Sequence, residues 1–186
     1  MPKRNILIIS QYFPPDISGG GTRAYNYAKA LHNKGYNVTV ITAYPHLHES
    51  VPKKYKFKFF TREKMDGINI VRVWIPSLLH TSTKNRSVLH LTFLITCLIP
   101  LYSIKTNAIF ASEPNLFAII PAYFYSKLKN ADVIRVVDDI WPEAIYERGY
   151  VKSRILKKIL NKLAKFSYDY PKFILPLTEN GKKIIQ

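Results

Sequence analysis

Apolar residues along this chain follow two rhythms, short aliphatic runs and longer stretches spaced at three and four. Asn5-Ile6-Leu7-Ile8-Ile9-Ser10 places four aliphatic residues in a row, mostly β-branched, as in a strand buried on both faces of a parallel sheet. From Thr22 onward Ala24, Tyr27, Ala28 and Leu31 fall on one stripe of a 3.6-residue period, and Gly35 supplies a left-handed stop. Residues 37–42 read as a second strand, so a right-handed β-α-β crossover is complete by Thr42.

The alternation continues. Strands are expected at 67–75 (after an Asp66-Gly67 turn), 107–111, 133–137 and 173–177. Helices are expected at 116–127 and 151–168, and Thr178 caps one that starts at Glu179. Residues 43–63 read as a long or partly extended excursion. On a strand, its stretch from Lys53 to Phe60 would put cations on one face and aromatics on the other. The most apolar part, 88–104, contains Pro100 and falls short of the ~20 residues that a membrane span needs. It reads as a helix covering the sheet, with Lys84, Arg86 and Lys105 keeping a membrane-dipping helix open. The fold class expected is α/β, a Rossmann-like parallel sheet of about six to seven strands with helices on both faces.

Composition adds bounds. With 186 residues, 47% hydrophobic and 22% charged, the chain reads as a single domain over 1–186, without disorder or repeats. Cys97 is the only cysteine, which excludes an internal disulfide and fits a reducing compartment. Met1-Pro2-Lys3-Arg4 precedes too short an apolar run for a secretory signal, so a cytoplasmic location is expected. The net charge of +16 attracts nucleic acid, anionic lipid or phosphorylated substrates without choosing among them. The 151–168 helix sets Lys152, Arg154, Lys157, Lys158, Lys162 and Lys165 against an apolar face, which by default packs on the sheet but also suits anionic headgroups.

Candidate chemistry gathers at the carboxyl ends of the strands, where an open α/β sheet forms its crevice. Gly19, Gly20 and Gly21 lie at the first crossover, where glycine permits positive φ and close approach of a ligand to the backbone. The amino end of the following helix favours phosphate, and Arg23 adds a fork of donors. Gly19-x-Gly21-x-x-Ala24 also fits a relaxed dinucleotide fingerprint, but Pro14 and Pro15 separate it from its strand and no acid ends the second strand. After the fifth strand come Asp138-Asp139-Ile140-Trp141-Pro142-Glu143. Asp138 or Asp139 could accept a hydrogen bond or proton from a hydroxyl, or cap the next helix, and Glu143 and Glu113 are weaker candidates. His46-x-His48 with Glu49 lacks a further partner at ligand spacing, so no metal is expected.

Gln11-Tyr12-Phe13-Pro14-Pro15, Gly19-Gly20-Gly21-Thr22-Arg23 and Gly35-Tyr36-x-Val38-Thr39-Val40-Ile41-Thr42 together resemble the amino-terminal half of a family 4 retaining glycosyltransferase of the GT-B fold. The likeness continues through Ala111-Ser112-Glu113-Pro114, Asp138 to Glu143 and Leu177-Thr178-Glu179. It implies an acceptor-side domain whose Gly19, Gly20 and Gly21 reach the donor diphosphate. Glu113, Trp141 and Glu143 fall on the acceptor side, and the nucleotide sugar is held by a carboxyl-terminal domain not found here. Relatives often carry a histidine near the position of Asp138, where this chain has aspartate. The Trp141-Pro142-Glu143 variant looks most like members that build surface polysaccharide.

The expected function is therefore half of an enzyme moving a sugar from a nucleotide-sugar donor to a polyprenyl-linked or growing-glycan acceptor. It would need no metal or other cofactor, would act peripherally at the inner face of the membrane and would be nearly inactive alone. The alternative is a stand-alone basic Rossmann-like module binding nucleic acid, through Lys53 to Phe60, or a dinucleotide. No recognised RNA motif supports the nucleic-acid version.

Overall fold

The computed structural model describes residues 4–16, 18–47, 52–55, 58–78, 82–112, 115–137, 140–142, 146, 149, 151, 153–178 and 183. Seven strands form one sheet: β1 (Asn5–Ile9), β2 (Asn37–Ala43), β3 (Phe60–Met65), β4 (Ile68–Val73), β5 (Ala108–Ala111), β6 (Asp132–Val137) and β7 (Phe173–Pro176). Their order is β3-β4-β2-β1-β5-β6-β7, and every pairing is parallel except β3 with β4. Four helices are described, α1 (Gly19–Asn33), α2 (Thr83–Thr96), α3 (Ile119–Lys129) and α4 (Arg154–Asp169). The α/β Rossmann-like architecture expected from the periodicities is the one found.

Alternate strand residues serve two cores, because side chains on a strand point to opposite faces in turn. Ile6, Ile8, Val38, Val40, Ile68 and Ile70 meet Ala24 and Ala28 of α1 on one face. Leu7, Ile9, Ile41, Val71 and Val73 meet Leu89 and Phe93 of α2 and Ile119 and Tyr125 of α3 on the other. The chain leaves β1 through α1 toward β2 and returns through α2 to β5, on β1's other side. Strand order thus reverses between β1 and β5, and the crevice of such a sheet opens at that reversal.

Several boundaries differ from expectation. The 67–75 strand has an antiparallel partner, β3, joined by a two-residue turn in which Asp66 and Gly67 both have positive φ. Gly67, at φ +80, holds a backbone conformation that strains any side chain, and a Cβ there would also displace the His32 ring, 2.4 Å away. Within the Lys53 to Phe60 stretch, Lys53–Tyr55 is a 3-10 turn, not an alternating strand. Tyr55 is drawn inward there, its ring stacked 4.4 Å from that of Tyr44. Helix α2 begins earlier than residue 88, at the Ser82 cap, and ends before Pro100. Helix α4 starts at the Ser153 cap, and its first turns leave Ile155, Leu156 and Ile159 exposed where the apolar face was expected to pack. Of the helix expected from Glu179, residue 183 alone is among those described, and it is helical.

At the amino edge the strands carry a row of asparagines. Asn37 Nδ2 donates to Asn5 Oδ1 (2.6 Å), Asn69 Nδ2 to Asn37 Oδ1 (3.1 Å), and the Asn5 N–H to Asn107 Oδ1 (2.9 Å). β4, β2, β1 and β5 are linked in that row.

Candidate functional site

The first crossover begins where β1 ends. Ser10, Gln11, Tyr12 and Phe13 are buried, and the chain then turns through Pro14 and Pro15 to Asp16. Asp16 anchors this loop to the one after β2, its carboxylate accepting from the backbone N–H of His46 (2.9 Å) and Leu47 (3.2 Å). Burial would raise this carboxyl, but hydrogen bonds from the His46 ring and from those two amides outweigh it and hold it below the usual range. A second tie comes from β4, where the buried Arg72 is ion-paired with Glu63 and donates from Nη2 to the Pro14 carbonyl at 2.5 Å.

Helix α1 begins at Gly19, three residues earlier than the apolar stripe predicts, because Ser18 takes an extended conformation and caps it. All three glycines are helical, and none uses the positive φ that glycine permits. The Ser18 hydroxyl accepts from Gly21 N–H at 3.0 Å, and Thr22 N–H bonds the Ser18 carbonyl. The cap therefore takes the Gly21 amide, and within the helix Gly19 and Gly20 N–H have no acceptor. Gly21 is a seating residue: a Cβ there would lie 3.1 Å from the Asp16 carbonyl oxygen and 3.2 Å from the Tyr12 carbonyl carbon. Gly19 is exposed, with nothing within 4 Å of its would-be Cβ. Arg23 follows one turn into the helix, half-buried.

A polar chain runs beneath this loop. A carbonyl can only accept, so His46 Nδ1, 2.8 Å from the Tyr44 carbonyl, carries a proton. Its Nε2 lies 3.4 Å from Gln11 Nε2, whose amide then donates, leaving Gln11 Oε1 to accept from His90 Nδ1 at 2.6 Å. Tyr12 stacks on His46 and meets His90 edge-on. The chain thus runs from His46 through the Gln11 side-chain amide to His90. Gln11, Asp16, His46 and His90 were not singled out for this cluster, since 35 and 79 residues separate Gln11 from the two histidines. The available signal was that Gln11 follows β1 and His46 follows β2, which are neighbouring parallel strands.

On the crevice's other side, Ser112 ends the β5 segment with its N–H on the Ile9 carbonyl. Its hydroxyl is buried and has no hydrogen-bond partner among the described residues. Trp141, expected on the acceptor side, is half-buried against Phe117, and its backbone N–H donates to the Tyr168 hydroxyl at 3.2 Å. It packs with Leu116, Leu160 and Ala164, fastening the segment after β6 to α4. Asp138, Asp139, Glu113 and Glu143 lie outside the described residues. Two hollows open at the opposite, amino edge, one of about 550 Å³ beside Asn5, Asn37 and Asn69 and one of about 500 Å³ beside Tyr36 and Asn107. Among the described residues no three His, Cys, Asp or Glu side chains gather as metal ligands, and His46 is engaged in the polar chain.

No model of a protein family matches the chain, and no curated protein matches it. Among solved structures it is similar to a sucrose-phosphate synthase (tll1590) from Thermosynechococcus elongatus, with a TM-score of 0.62 at 11% identity. The superposition covers 92% of this chain and 42% of that one, so the chain spans less than half of that structure's length. At this identity the likeness is one of fold.

Proposed function

We propose that this chain is the acceptor-side, amino-terminal half of a family 4 retaining glycosyltransferase of the GT-B fold. It would serve transfer of a sugar from a nucleotide-sugar donor to a polyprenyl-linked or growing-glycan acceptor in surface polysaccharide synthesis, at the cytoplasmic face of the membrane. The observation that carries this reading is the start of α1, a capped helix built on glycines and open at Gly19, at the point where strand order reverses. Similarity in fold to a sucrose-phosphate synthase supports it.

In such a reaction negative charge grows on the departing diphosphate as the glycosidic bond breaks. The amides of Gly19 and Gly20 and the positive end of the helix oppose that charge, a hydrogen bond to an ion contributing about 1.5–3 kcal/mol. Arg23 adds charge nearby, and no metal is needed. Asp138 and Asp139 follow β6 in sequence and are the candidates for holding the acceptor hydroxyl, with Glu113, Trp141 and Glu143 on the acceptor side. The nucleotide would rest mainly on a carboxyl-terminal domain, so this chain alone would transfer little.

Glycine amides resolve well in heteronuclear NMR, which gives the test. Titration with a nucleoside diphosphate should shift the Gly19 and Gly20 amides while those of Gly35 and Gly149 stay in place. Shifts confined to Asn5, Asn37 and Asn69 at the amino edge would refute the reading.

A further inference from the structure

Helix α2 is apolar on two sides. Leu89, Phe93, Leu94 and the capping Cys97 turn into the core, while Val88, Leu91 and Ile95, three and four residues apart, turn to solvent, followed by Ile99 in the turn after the helix. Ile95 is 69% exposed, and Tyr102 in the following 3-10 turn is 81% exposed. Helix α3 lies alongside, held by the Tyr125 hydroxyl on the Cys97 carbonyl (2.9 Å) and by Lys129 Nζ on the Tyr102 carbonyl (3.0 Å). It adds the half-exposed Phe124 and Leu128. Single exposed apolar residues are ordinary, but a periodic stripe continued onto a neighbouring helix marks an interaction surface.

The charge around the stripe selects its partner. Lys84 lies one to two turns before Val88 and Leu91 on the same face of α2, Arg86 and Lys105 are exposed on the same segment, and neither 82–106 nor 115–131 contains an aspartate or glutamate. A second copy would bring this cationic rim against its own like, whereas an anionic bilayer supplies the opposite charge and an apolar interior together. Among the described residues no helix is long and apolar enough to cross a membrane, so the contact lies along the surface. We infer that the outer face of α2, with the adjoining edge of α3, docks on an anionic lipid bilayer, Leu91, Ile95, Ile99 and Tyr102 entering the boundary between headgroups and acyl chains. This deepens the membrane part of the reading above and rests on it only there.

Sedimentation with phosphatidylcholine vesicles, with and without about one-third phosphatidylglycerol, tests it. The chain should bind the anionic vesicles at least tenfold better than the neutral ones, and Leu91→Asp/Ile95→Asp should remove most of that binding. Ile155→Asp/Ile159→Asp, on the exposed start of α4, should bind like wild type. Circular dichroism checks that each variant folds; should the α2 pair fail, Lys84→Glu/Lys105→Glu takes its place and should lose at least several-fold. Equal binding to both vesicles, wild-type binding by a folded α2 variant, or equal loss in the α4 variant would overturn the inference. So would a dimer in sedimentation velocity that the α2 pair dissociates, with no lipid bound. Glycine amide shifts and lipid sedimentation are separate readouts, so either reading can fail alone.

Discussion

Adding one methyl group at Gly21 and one at Gly19 should move stability in opposite directions. At Gly21 the new carbon would stand 3.1 Å from the Asp16 carbonyl oxygen, 3.1 Å from Ser18 Oγ and 3.2 Å from the Tyr12 carbonyl carbon. Two of these are backbone atoms of a loop pinned by Asp16 to the His46 and Leu47 amides, and the third is the helix cap itself. Each must give by a few tenths of an ångström, which the loop's anchoring and the cap resist. Overpacking of this kind costs about 1–3 kcal/mol, and alanine's better helix propensity returns up to about 1 kcal/mol. The net loss for Gly21→Ala is then about 1–2 kcal/mol, or roughly 2–8 °C in melting temperature for a chain of this length. At Gly19 the methyl meets nothing, so Gly19→Ala should be neutral or gain up to about 1 kcal/mol. Urea and thermal unfolding followed by circular dichroism measure both. Wild-type stability in Gly21→Ala, or the same loss in both variants, would refute the assignment of one glycine to seating and the other to an open position.

Asp16→Asn removes the ionised acceptor of two backbone amides and should destabilise the fold by about 1–3 kcal/mol at neutral pH. Because the folded Asp16 carboxyl titrates below its unfolded value, its contribution is fully present above that value, about 4, and is lost as pH falls through the lower, folded one. Wild type should therefore lose more stability than Asp16→Asn over that acid range, and matching pH profiles would count against the network. Burial pushes the Cys97 thiol far above its ordinary range, and the side chain is fully enclosed under α2. Thiol reagents should therefore label it only at the rate at which the core opens, and fast labelling of the folded protein would contradict that packing.

Much of this fold is legible in the sequence because the apolar period changes sharply between elements. The run Ile6 to Ile9 and the stripe Ala24, Tyr27, Ala28, Leu31 are unambiguous, and β1, α1 and β2 follow from them. Strand β3 is hidden because Phe60–Met65 reads FTREKM: a half-exposed edge strand carries three consecutive charges where an inner strand would carry aliphatics. The outward stripe on α2 belongs to the same apolar run as the inward one, and composition cannot divide a helix into faces. At the candidate site, the glycines were identifiable from their place after β1, but not their division of labour, which depends on Ser18 taking the Gly21 amide. The polar chain from Asp16 to His90 exists only once α2 crosses back over β1, because its members come from three separate segments, the β1–α1 loop, the stretch after β2 and α2. Asp138, Asp139, Glu113 and Glu143 were singled out by position after a strand, and the described residues stop short of them.

The asparagine row along the base of the sheet has a mechanical consequence. It adds side-chain ties at the base of strands that the backbone ladder already pairs along their whole length. A guest at the other end is therefore met by rearranging crossover loops over a fixed floor, not by parting β4, β2, β1 and β5.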